Sequence, residues 1–117
     1  HDTIMAGLAC GEPNTVGLKV LLDYAENYIA APDEAAAFGM RVLSSPLGDD
    51  PRIISGESGA STLGVVAKIL SKPKLEPLKR QLGINENSHL LFISTEGDTD
   101  SKGYRKIVWD GAYPSGI

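Results

Sequence analysis

The sequence predicts an α/β fold, and three observations predict it. Short apolar runs alternate along the chain with stretches of helical period. The run Leu90-Leu91-Phe92-Ile93 passes without interruption into Ser94 and Thr95, as a strand buried on both faces would. Glycine, proline and small polar residues punctuate the joins between these stretches.

Each element follows from local chemistry. Thr3 to Ala9 reads as a strand, and Gly7 inside it marks a close backbone approach. Cys10 to Asn14 is a loop whose last residue suits an N-cap. From Thr15 to about Ile29 the apolar residues Val16, Val20, Leu21, Tyr24 and Tyr28 keep a helical spacing. A second helix begins after Pro32, with Asp33 and Glu34 where the macrodipole favours negative charge, and runs through Leu43. Gly39 weakens it unless a second helix packs closely there. Arg52 to Ser55 is a short strand. It turns through Gly56-Glu57-Ser58-Gly59-Ala60, where Ser58 suits a cap, into a third helix. Leu63, Val66, Ala67 and Leu70 are the buried stripe of that helix, and Pro73 ends it. Leu75 to Leu82 is a fourth helix with Gly83 as its terminator. The strand through Ile93 follows, then a last helix capped by Ser101 and a tail from Trp109. Three strands are few for a free parallel sheet, because two edges stay bare. With the start at His1 rather than methionine, this suggests part of a larger parent.

Residues 1–117 are enough for one domain and too few for two. A net charge of −4 excludes the basic field a nucleic-acid surface needs. No apolar run approaches the ~20 residues that cross a bilayer. Cys10 stands alone, so neither an internal disulfide nor a cysteine zinc site is expected. With no leader pattern, a cytoplasmic location is expected.

Three motifs suggest chemistry. Gly56-Glu57-Ser58-Gly59-Ala60 is close to a nucleophile elbow, Gly-x-Ser-x-Gly, on a strand–turn–helix. Its only histidines would be His1 and His89, and the order Ser58, His89, Asp98 is wrong for an α/β-hydrolase, so a tight helix-entry turn is the better reading. Asp98-x-Asp100 after a strand suits a hard cation. The aspartates stand too far from the strand end, so a helix-capping acidic loop is favoured and no metal is expected. Ser94 and Thr95 sit where open α/β sheets bind ligands, just past the strand's carboxyl end.

Residues Thr3–Asn14, Ile54–Ala60 and Ile93–Asp100, with Tyr104–Trp109, resemble the diaminopropionate ammonia-lyase family in order and spacing. More distantly the chain is similar to tryptophan synthase β and the serine/threonine dehydratases. The resemblance implies the C-terminal part of a larger fold-type-II lyase that uses pyridoxal 5′-phosphate. It implies a partial three-layer αβα sheet of mostly parallel short strands with flanking helices. It also implies a homodimer acting on a small amino acid, 2,3-diaminopropionate, which loses ammonia to give pyruvate and a second ammonia. The family's Schiff-base lysine and Gly-rich phosphate loop lie upstream of this segment. Lys19, Lys68, Lys72, Lys74, Lys79, Lys102 and Lys106 do not stand in that lysine's context. No catalytic residue is therefore assigned to this chain. The resemblance makes Ser94 the hydroxyl partner of the pyridine nitrogen, with Thr95 the adjacent candidate. It puts Glu57 near the ring and the Gly7 backbone past the ring edge. A different possibility is a non-catalytic binding module of the same fold.

Overall fold

A computed structural model describes residues 2–116. Among them there are five α-helices, two 3₁₀ turns and no β-strand. Helix α1 is Thr15–Tyr24, α2 Asp33–Ser44, α3 Glu57–Ser71, α4 Glu76–Leu82 and α5 Ser101–Val108.

Some helix ends follow the expected chemistry and others depart from it. The Asn14 side chain accepts from the Gly17 N–H at 2.8 Å and so caps α1. That helix stops at Tyr24, short of Ile29. Ala25 turns extended, and the Tyr28 hydroxyl folds back to donate to the Leu21 carbonyl at 2.9 Å. Asp33 opens α2 and also ties down the chain's beginning, accepting from the Thr3 hydroxyl and from the Ile4 N–H at 3.3 Å. Gly83, at φ 70°, terminates α4 in the left-handed region that glycine enters without strain. Asp100 rather than Ser101 caps α5, accepting from the Gly103 N–H at 3.1 Å.

The core lies between α2 and α3 and is closed by α5. Ala37, Met40, Ala60, Tyr104 and Ile107 form it, with Ile4, Leu43, Val108 and Ala112 packed at its margin. The two helices meet through glycine. A Cβ on Gly39 would strike the Ala60 carbonyl and lie 2.9 Å from the Gly64 nitrogen. One on Gly64 would strike the Ala35 carbonyl. Gly39 thus marks the close helix contact that its place in the sequence allows. This contact also decides which face of α3 is buried. Ser58, Gly59, Ala60, Ser61, Gly64 and Ile69 face inward, while Leu70 of the expected stripe is half exposed.

The expected α/β sheet is absent, and with it the three-layer αβα arrangement. Thr3 to Ala9 is a loop around a 3₁₀ turn at Ala6–Leu8. Arg52 to Ser55 and Leu90 to Ser94 carry no strand ladder. Just past their ends, the Gly56 N–H donates to the Glu96 carbonyl at 3.0 Å. The physical reason is that a strand is defined by a partner, and a short apolar run does not by itself say whether one is at hand. Leu91 is 88% exposed and Ile93 70%, the reverse of burial on both faces.

The chain also shows more surface than its size warrants. Its accessible area is 8501 Å², whereas a folded monomer of this length has about 6,100 Å². Much of the excess is apolar. Val16, Leu22, Tyr24, Leu47, Leu91, Ile93 and Trp109 are each at least 70% exposed. No helix among the described residues is long and apolar enough to cross a membrane.

Candidate functional site

The first turn of α3 gathers the residues singled out in the sequence. Gly56 is its N-cap and brings no side chain to the free backbone donors. The Glu96 carboxylate supplies the missing acceptor, taking the Ser58 N–H at 3.1 Å. With the Gly56–Glu96 backbone bond, this clamps the 94–97 loop onto the helix start. Glycine permits the contact: a Cβ on Gly56 would lie 2.6 Å from the Gly97 carbonyl oxygen.

The clamp sets Ser94 beside Ser55. Their hydroxyl oxygens are 2.8 Å apart. Ser55 is fully buried, whereas Ser94 and Thr95 are exposed. Gly59 lies under the pair. A Cβ there would sit 2.7 Å from Ser55 Oγ, 3.0 Å from Ser94 Oγ and 3.0 Å from the Thr95 nitrogen. Gly7 also approaches this turn, and a Cβ on it would meet Ser58 Oγ at 3.2 Å. Ser58 Oγ is buried and has no hydrogen-bond partner among the described residues.

Gly7, Glu57, Ser94 and Thr95 therefore all border one turn of helix. They do not converge on one point. A Cβ on Gly103 would meet Glu57 Oε1 at 3.3 Å, so that carboxylate faces the start of α5, and it makes no hydrogen bond to Ser94. Ser58 is not the helix cap expected of it, since its side chain makes no cap bond. Among the described residues its buried hydroxyl meets no histidine that could act as a base. His89 is exposed, and His1 lies outside the described residues. Asp100 is engaged as the α5 cap, and no cluster of metal-ligating side chains occurs among the described residues.

Three contributors escape a reading of the sequence: Ser55, Gly59 and Glu96. Ser55 carries a usable signal. Ile53-Ile54-Ser55-Gly56 repeats the pattern of Phe92-Ile93-Ser94-Thr95, a hydroxyl ending an apolar run.

The donor set suits a neutral heteroaromatic ring. An exposed hydroxyl beside a buried one can donate to a lone pair, and no carboxylate bonds to either hydroxyl.

No known family profile matches the chain. Curated relatives do. The diaminopropionate ammonia-lyase of Escherichia coli K12 is 54% identical over 111 residues, 95% of this chain and 28% of that enzyme. The enzyme of Salmonella typhimurium LT2 is 44% identical over 110 residues, 93% of this chain and 27% of that enzyme. The E. coli enzyme solved with an aminoacrylate–PLP azomethine reaction intermediate superposes with a TM-score of 0.92 at 53% identity. That match covers 97% of this chain and 30% of the other. The apo form gives 0.83 at 50% identity, over 86% of this chain and 28% of the other. These relationships make the chain a homologue of ammonia-lyases, a class represented here by an enzyme solved with pyridoxal phosphate chemistry in place. Within that class it matches the C-terminal region of diaminopropionate ammonia-lyase. It spans just over a quarter of the length of these relatives, 28% of the E. coli enzyme.

Proposed function

We propose that this chain forms one wall of the cofactor site in a pyridoxal-phosphate-dependent ammonia-lyase acting on 2,3-diaminopropionate. The observation that carries the proposal is the hydroxyl of Ser94, an exposed residue, held 2.8 Å from buried Ser55 over the start of α3. It stands in a chain 54% identical to such lyases.

The cofactor, when bound, supplies an electron sink for the pair left as the substrate's α-proton departs. The chain's own part is to bind and tune. Ser94 donates a hydrogen bond to the pyridine nitrogen and leaves that nitrogen unprotonated, where a carboxylate would hold a proton on it. A neutral ring is the weaker sink, which favours prompt departure of the β-amino group over a long-lived carbanion. Thr95 is the adjacent donor. Gly7 lets backbone pass the ring edge, and the Glu57 carboxylate lies beyond hydrogen-bond reach of Ser94. The overall reaction gives pyruvate and two molecules of ammonia.

The large apolar surface supports a further part of this reading: polypeptide equivalent to the rest of the lyase covers it. A homodimer in the cytoplasm, without membrane or nucleic-acid partners, completes the proposal. A chimera tests it, with this chain replacing the matching 111 residues of the E. coli enzyme. Ser94→Ala in that chimera is expected to retain cofactor and to lower kcat/KM about three- to ten-fold, the worth of one hydrogen bond. An unchanged rate with an unchanged cofactor spectrum removes Ser94 from the site.

A further inference from the structure

We propose that Ser55 is a positioning residue: its hydroxyl donates a hydrogen bond to Ser94 Oγ and thereby fixes Ser94 as a donor toward a pyridine nitrogen. The inference rests on the reading of Ser94 given above and extends it to a residue that touches no cofactor.

The geometry leaves few choices. A serine hydroxyl has one proton and two lone pairs. Ser55 Oγ reaches two oxygens, Ser94 Oγ at 2.8 Å and the neighbouring Gly56 carbonyl at 3.3 Å. Ser94 Oγ reaches Ser55 at 2.8 Å and the Glu96 carbonyl at 3.4 Å. Only the serine–serine separation falls within the usual O–H···O range. One of the two must donate across it. If Ser94 donates inward, it turns only lone pairs outward, and a neutral pyridine nitrogen also presents only a lone pair. If Ser55 donates, the Ser94 proton is free to point outward, and the two bonds in series polarise and strengthen each other.

Burial favours the second arrangement. Ser55 is at 0% exposure, so its proton must go to a neighbour inside the fold, whereas Ser94 is exposed to whatever binds outside. Gly59 is the third member of the device. Any side chain there would push into both hydroxyl oxygens, so glycine is what lets the pair meet over the helix.

The test uses the same chimeric holoenzyme loaded with pyridoxal phosphate carrying ¹⁵N in the ring. The ring-nitrogen chemical shift reports the hydrogen bond directly, and cofactor affinity is measured beside it by fluorescence titration. Ser94→Ala is expected to move the resonance to that of an unbonded pyridine. Ser55→Ala, which leaves Ser94 intact, is expected to move it part of the way in the same direction. It is also expected to weaken cofactor binding about two- to five-fold. Ser55→Cys keeps the shape with a weaker donor and falls between Ser55→Ala and the parent. If Ser94→Ala shifts the resonance and Ser55→Ala does not, Ser55 has no positioning role, and a loss of stability alone would show a structural one. If neither variant moves it, the Ser94 reading fails and the Ser55 proposal goes with it.

Discussion

Glu96 accepts the Ser58 backbone N–H at 3.1 Å, joining two residues 38 positions apart. A helix normally draws its cap from the residue just before it. Here that residue is Gly56, and the acceptor comes from the loop after the long apolar run. The cap therefore also holds Ser94 in place. Glu96→Ala is expected to cost about 1 kcal/mol of stability, and Glu96→Gln less, because an amide oxygen still accepts. Urea unfolding midpoints measure both. An alanine variant as stable as the parent would show that the bond carries no weight.

The α2–α3 crossing makes a stronger prediction. Gly64→Ala places a methyl group against the Ala35 carbonyl, which is backbone and cannot swing aside. Overpacking of this kind costs about 1–3 kcal/mol. The same change at Gly11, where nothing lies within 4 Å, is the control and is expected to be near neutral. Equal melting temperatures for the two variants would mean that the helices do not cross where they are placed.

The helices were legible because their signals are local. Asn14, Pro32, Asp33, Gly83 and the acidic residues before α5 each mark an end by chemistry acting within a few residues. The strands were misread because theirs is not. Leu90-Leu91-Phe92-Ile93 has the composition of a strand, yet no ladder partner reaches it among the described residues. The buried face of α3 was misread for a related reason. Its leucines and valines are large enough to look like core, but Gly39 on α2 selects the small-residue face instead. In the site, Ser94 and Thr95 stand out at the end of an apolar run and Gly7 as a close backbone approach, Glu57 and the cofactor roles come from the resemblance, and all four residues border the same helix turn. Gly59 and Glu96 act only through contacts made in three dimensions, which no spacing in the sequence announces, whereas Ser55 is marked only by ending an apolar run as Ser94 does.

Arg41 ties the tail to α2. Its guanidinium donates to the carbonyls of Ile107 at 3.5 Å, Ala112 at 3.2 Å and Tyr113 at 3.1 Å. Burial lowers its pKa below the ordinary arginine value, and the group remains charged. A forked cation can serve several carbonyls at once, and an ammonium cannot hold the same geometry. Arg41→Lys is expected to free the segment after Trp109 and to cost about 1–2 kcal/mol. Limited proteolysis should then cut near Ala112 and Tyr113 faster than in the parent. Unaltered cleavage would mean that the tail is held by its apolar contacts alone.

Helix α1 carries the last prediction. All ten of its residues are exposed, although Val16, Leu18, Val20, Leu21, Leu22 and Tyr24 are apolar and lie on more than one face. A helix apolar on several faces is ordinarily a buried one, and an isolated helix of about ten residues is marginal in water. The chain nonetheless superposes on the E. coli lyase at a TM-score of 0.92 over 97% of its length. The surroundings that hold α1 are therefore expected in the larger enzyme rather than in this chain. In hydrogen exchange, α1 amides of the isolated chain should exchange nearly as fast as a random coil, while those of α2 and α3 are protected. In the chimera the same α1 amides should slow by about a hundred-fold or more, as an opening cost of ~3 kcal/mol implies. Strong protection of α1 in the isolated chain, at a concentration where it is monomeric, would mean that the helix finds its cover within these residues.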